Sequence, residues 1–132
     1  VAAMVSSAAG CSYCQAHTSH VAEKRGAEEE KLAAMWEFET SPLFDDAERA
    51  ALRVAHGAGC VPNAVTDDDM AELRRHFSDA EVVELVAVMA GFGFLNRWND
   101  TMATELERSP FTWAQDKLAA AGWEAGPHAP RG

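Results

Sequence analysis

The sequence predicts an all-α protein, a single-domain helical bundle. Two observations carry that reading. No run of β-branched residues alternates with polar ones over strand length, and several segments repeat apolar residues at intervals of three and four. At 132 residues the chain is long enough to bury one core and too short for two domains.

The elements follow in order. Val1 to about Ala8 reads as a first helix, interrupted near Gly10. A second is expected from about Cys11 to Arg25, with Gly26 where a left-handed residue ends a helix. "AEEEKLAAMWEF" reads as a short helix whose acidic first turn suits the helix dipole. Pro42 punctuates, and Asp45 with Glu48 forms a capping-box pair opening "DDAERAALRVAH", which Gly57, Gly59 and Pro62 are expected to end. Thr66 or Asp67 caps "DDDMAELRRHF". Ser78 and Glu81 form a cleaner box, opening the longest helix, which is expected to run from Asp79 to about Glu107, with Pro110 ending it. Between Val82 and Leu95 this helix is apolar almost all round, which predicts burial in the centre or against another subunit. A last helical segment, "TWAQDKLAAAGW", precedes an irregular tail.

Composition narrows the function. With 48% hydrophobic and 24% charged residues the chain is that of a soluble globular protein. A net charge of −10, from 21 acidic against 11 basic residues, repels nucleic acid and anionic membrane surfaces alike. Three cysteines are too few for a disulfide framework and leave one unpaired, which favours the cytoplasm. The opening "VAAMVSSAAG" lacks a basic leader and the length of a membrane span. It begins within a helical pattern and without methionine, so a preceding native segment is expected.

The stretch "GCSYCQAHTSH" carries the chemistry. Cys11, Cys14, His17 and His20 are zinc-ligand types, yet on one helix they fan across roughly half the circumference and span about 13 Å of axis, too far for one ion. No haem attachment is possible either, because no histidine directly follows Cys14. Neither a metal nor a cofactor is expected. A dithiol fits better: two cysteines three apart at a helix start can close a small disulfide ring, and the free amides there favour a thiolate. His17, one turn on, can take or relay the thiol proton. The bland alternative makes cysteine a small buried hydrophobe and the histidines a solvated face. It explains one cysteine well and the C-x-x-C with its trailing histidine poorly.

"GCSYCQAHT" resembles the signature of the alkylhydroperoxidase D and carboxymuconolactone decarboxylase superfamily, in its cysteine-containing, peroxidase-related branch. "FSDAEVVELVAVMAGFGFLNRWND" is similar to that family's long helix, and "GWEAGPH" to its closing Gly-Trp and Gly-x-His. The resemblance covers Val1 to His128. It implies a helical subunit that forms homo-oligomers, trimers or hexamers, and a thiol peroxidase reaction. Cys14 would attack a hydroperoxide, Cys11 would resolve the sulfenic acid as a disulfide, His17 would handle protons, and an external dithiol reductant would reopen the bond. Two departures stand out. Family members place the histidine four residues after the second cysteine, where Thr18 stands here, and their relay glutamate, about three helical turns before the first cysteine, would fall before Val1.

The other residues are assigned less. Cys60 is expected to be a buried structural thiol, Tyr13 either lines a pocket or packs, and His20 and His56 default to solvent. Arg97 and Asp100 are spaced to pair with each other, and His128 lies in a tail of the kind that crosses to a neighbouring subunit. Aromatic clusters at Trp36 to Phe44, Phe92 to Trp98 and Phe111 to Trp123 predict core or self-association. The leading expectation is a thiol-dependent peroxidase or disulfide reductase. The alternatives are a redox sensor or binding protein of the same fold, and a lactone decarboxylase, whose chemistry does not call for a dithiol.

Overall fold

The computed structural model describes residues 1–131, and among them every regular element is helical. Seven α-helices follow one another: α1 (Ala2–Ala8), α2 (Ser12–Lys24), α3 (Glu29–Ala33), α4 (Asp46–Gly59), α5 (Asp67–His76), α6 (Asp79–Met102) and α7 (Arg108–Lys117). Short 3-10 turns occupy Ala34–Glu37, Ala119–Ala121 and Gly126–His128.

The helix starts follow local chemistry. Asp45, Thr66 and Ser78 each accept from the backbone N–H three residues on, and Glu48, Asp69 and Glu81 return the bond, so α4, α5 and α6 all open on complete capping boxes. Helix α4 ends at Gly59, within the glycine and proline stretch expected to end it, and α1 crosses it there: a Cβ at Gly59 would lie 2.5 Å from the Val5 carbonyl oxygen and 2.7 Å from Ala8 Cβ. Two other boundaries differ from the sequence expectation. Helix α6 stops at Met102, where Ala103 turns left-handed at φ 48°, and the Ala103 and Thr104 amides bond back to the Asp100 and Asn99 carbonyls. Pro110 ends nothing; it sits in the first turn of α7, where no intrahelical amide is required of it.

Helix α2 lies between two cores. On one side α1, α4, α5 and α6 bury Met4, Val5, Phe44, Val54, Leu73 and Met89 with their neighbours. On the other, Ala16 packs with Leu106, Ala114, Leu118 and Trp123. The apolar length of α6 is not enclosed by this chain. Val82 and Met89 are buried, but Phe94 is 63% and Trp98 56% exposed, since α1, α2, α4 and α5 meet only one side of the helix. No helix among the described residues is long and apolar enough to cross a membrane.

Candidate functional site

The turn between α1 and α2 sets the first cysteine. Gly10, at φ +78°, ends α1 with its amide on the Ser7 carbonyl and the Cys11 amide on the Ser6 carbonyl, both at 3.0 Å. That reversal leaves Cys11 extended at the cap of α2, where its Sγ accepts from the Cys14 N–H at 3.4 Å, the task serine or aspartate usually performs. Cys14 is thereby in the first turn, facing α6, and the Asn99 side-chain amide donates to its Sγ at 3.4 Å. Both thiols are buried and free, close to each other but not joined as a disulfide.

These contacts separate the two sulfurs. The hydrogen bond from Cys11, helped by the one from Asn99, holds the Cys14 thiol below its ordinary pKa against the opposing effects of burial and of Asp100. The same Cys14 partnership, then burial, then Asp100 push the Cys11 thiol up. Charge is favoured on Cys14 and the proton on Cys11.

His17 stands one turn further along α2, and its Nε2 meets Glu107 Oε2 at 2.6 Å. The Tyr13 hydroxyl donates to the other Glu107 oxygen at 3.4 Å, and its ring lies 4.6 Å from that of His17. Tyr13 is therefore a bracket for the histidine. Burial would raise the Glu107 carboxyl, but its own backbone N–H, then His17, then Tyr13 outweigh that and hold it below the usual carboxylate range. Thr18 has spent its hydroxyl on the Cys14 carbonyl at 2.7 Å.

Asp100 does not pair with Arg97, which donates instead to the Gly93 carbonyl. It meets His128 Nε2 at 3.1 Å, and the opposite ring nitrogen, Nδ1, donates to the Thr104 carbonyl at 2.8 Å. His128 is 2% exposed and bonded within its own chain. Since Nδ1–H is committed to a carbonyl, the contact between Nε2 and the carboxylate holds a second proton. Cys11 Sγ, an Asp100 oxygen and His128 Nε2 lie within 4.8 Å of one another, the spacing of a possible metal ligand set.

The four residues of the cysteine and histidine run do not converge on a point. His17 turns to Glu107, and His20 is buried and stacked on Trp113 at 5.7 Å rather than solvated. His56 is exposed, edge-on to Trp36. Cys60 is only half-buried and donates to the His56 carbonyl, so it is not the sealed thiol expected. Glu107 and Asn99 were not anticipated as site residues, because 90 and 85 residues separate them from His17 and Cys14 and no local pattern marks such contacts.

A cavity of about 70 Å³ adjoins the cluster, lined by Ala9, Gly59, Asn96, Arg97 and Asp100 among others. Asn96 is 2% exposed and its amide has no protein partner. A larger cavity, about 710 Å³, is lined by Thr18, Leu32, Met35, Phe44, Leu52 and Phe77 among others, and neither paired cysteine reaches it.

With this geometry in hand, likeness to known proteins is specific. Residues 1–57 match the carboxymuconolactone decarboxylase family. The uncharacterized protein YnjA of Escherichia coli (strain K12) is 32% identical over 102 residues, covering 77% of this chain and 56% of that protein. Two crystal structures of the debrominase Bmp8 superpose on 87% of the chain. One is a cysteine-to-alanine variant in complex with 2,3,4-tribromopyrrole, at TM-score 0.83 and 37% identity; the other is the apo form, at 0.82 and 38%. The chain spans about three fifths of the length of each of these relatives, 62% for Bmp8 and 56% for YnjA. The family match over residues 1–57 and the helical architecture together support the likeness of this chain to the carboxymuconolactone decarboxylase family of the alkylhydroperoxidase D superfamily.

Proposed function

We propose that the protein is a thiol-dependent peroxidase, or disulfide reductase, cycling Cys11 and Cys14 between dithiol and disulfide. One observation carries this: Cys14 Sγ receives the Asn99 amide while Cys11 caps the helix beside it, which favours a thiolate at one sulfur and a proton at the other. The Cys14 thiolate attacks a hydroperoxide oxygen; the S–O bond forms, the O–O bond breaks, and the departing alkoxide takes a proton from His17, whose ring Glu107 holds. Cys11 then passes its proton to Asp100 and attacks the Cys14 sulfur. The S–S bond forms, and hydroxide leaves as water with a proton from the Asp100 and His128 pair. An external dithiol returns two electrons and two protons.

The debrominase neighbours favour a second reading on the same sulfurs. A thiolate can attack bromine as it attacks peroxide oxygen: the S–Br bond forms, the C–Br bond breaks, the carbon takes a proton, and Cys11 displaces bromide. Self-association into trimers or hexamers through the bare face of α6 and residence in a reducing compartment, the cytoplasm, complete the proposal.

Free-thiol titration tests it. One equivalent of hydrogen peroxide should consume two thiols per chain, reversibly by a dithiol reductant, and Cys14→Ser should abolish the loss. Thiols that survive peroxide but disappear with bromopyrrole, releasing bromide, favour the second reading. Reversible oxidation without turnover makes the pair a sensor.

A further inference from the structure

The run from Cys11 to His20 cannot surround one ion, but the fold assembles another set of ligand types from three distant places. Cys11 comes from the cap of α2, Asp100 from the last turn of α6, and His128 from the closing 3-10 turn. We propose that the reduced site binds one zinc ion through Cys11 Sγ, an Asp100 oxygen and His128 Nε2, with the fourth position held by water.

The dimensions fit. The three ligand atoms lie within 4.8 Å of one another. A tetrahedral zinc with bonds of about 2.0–2.3 Å sets its ligand atoms roughly 3.3–3.8 Å apart, so side-chain shifts of about 1 Å close the shell. One sulfur, one nitrogen and one carboxylate oxygen are ordinary zinc donors, and three protein ligands with an open fourth position is a common arrangement.

Two further features are what a zinc site requires. His128 donates Nδ1–H to the Thr104 carbonyl, which orients the ring and leaves Nε2 to face Asp100. Without an ion, a proton must lie between that nitrogen and the carboxylate; a cation takes its place. Asn96, whose buried amide lacks a protein partner, lines the small cavity that Asp100 also lines, where it can bond the metal-bound water.

The consequence for regulation rests on the dithiol reading above. A Cys11–Cys14 disulfide removes the sulfur ligand, so the oxidised protein would not hold the ion, and an ion on Cys11 would keep it from resolving a Cys14 sulfenic acid. Zinc would protect the reduced protein from cycling.

Cobalt(II) titration of the reduced, purified chain tests the site directly, with zinc competition. Expected are one equivalent bound, a thiolate-to-cobalt charge-transfer band, and displacement by one equivalent of zinc. Cys11→Ser should lose that band. His128→Gln and Asp100→Asn should each weaken binding at least tenfold, and His17→Ala should bind as the wild type. Diamide-oxidised chain should bind none. Absence of stoichiometric binding overturns the proposal, as does unchanged affinity in both His128→Gln and Asp100→Asn, which would put the metal on the cysteines alone. Equal binding after oxidation sinks the redox gate. If His128→Gln does not fold by circular dichroism, the half-exposed Asp100→Asn decides. None of these measurements uses peroxide, so an inert thiol pair under peroxide refutes the enzymatic reading while leaving the metal site to stand or fall by its own titration.

Discussion

Asn99, near the end of α6, hands its side-chain amide to the sulfur of Cys14 across 3.4 Å. This bond joins the longest helix to the first turn of α2, and with the Cys11 partnership it lowers the Cys14 thiol pKa. Asn99→Ala should therefore leave less thiolate at neutral pH. A hydrogen bond worth about 1 kcal/mol predicts a roughly fivefold slower iodoacetamide reaction at Cys14 at pH 7. The rate in strong base should match the wild type. A pH–rate curve for Cys14 that does not move would show that Asn99 only packs.

Glu107 offers a second titration. Its carboxyl is held below the ordinary value, so it contributes stability that is present above its unfolded pKa and is lost as pH falls through the folded one. The side chain is 62% exposed, so solvent screens most of that contribution. His17→Ala removes one of the bonds responsible, and the Glu107 carboxyl should then titrate at higher pH in carbon-detected NMR. An unmoved midpoint would mean that the contact with His17 does not persist in solution.

Gly59 permits the crossing of α1 over α4 that delivers Cys11 to its cap. Gly59→Ala forces a Cβ to within 2.5 Å of the Val5 carbonyl oxygen, which only a backbone shift can relieve. The expected loss is about 1–3 kcal/mol in urea unfolding. Peroxide-driven thiol loss should also slow, because the displaced α1 carries the Gly10 turn with it. Wild-type stability in this variant would contradict the packing described.

Ala103 carries strain that glycine would release. At φ 48° a Cβ costs about 1–2 kcal/mol, partly offset by the greater freedom of unfolded glycine. Ala103→Gly should raise stability by about 0.5–1 kcal/mol, read as a higher denaturant midpoint at constant slope. The turn it forms places the Thr104 carbonyl under His128, so cobalt affinity should be retained.

The sequence by itself determined the helical class, the capping boxes that open α4 and α6, a cap at Thr66 for α5, and the left-handed glycine after α2. These depend on neighbours within about four residues, where backbone hydrogen bonding and side-chain reach are nearly fixed by residue type. The end of α6 was not legible, because an alanine does not advertise a left-handed conformation; the turn is held by the contacts of Thr104 and Leu106 with the returning tail. Only the tertiary structure decided that Glu107 would hold His17, that Asn99 would face Cys14, and that Asp100 would choose His128 over Arg97. The first two pairings join α2 to residues brought against it by its burial between two cores, the third joins the end of α6 to the returning tail, and burial is blind to sequence separation.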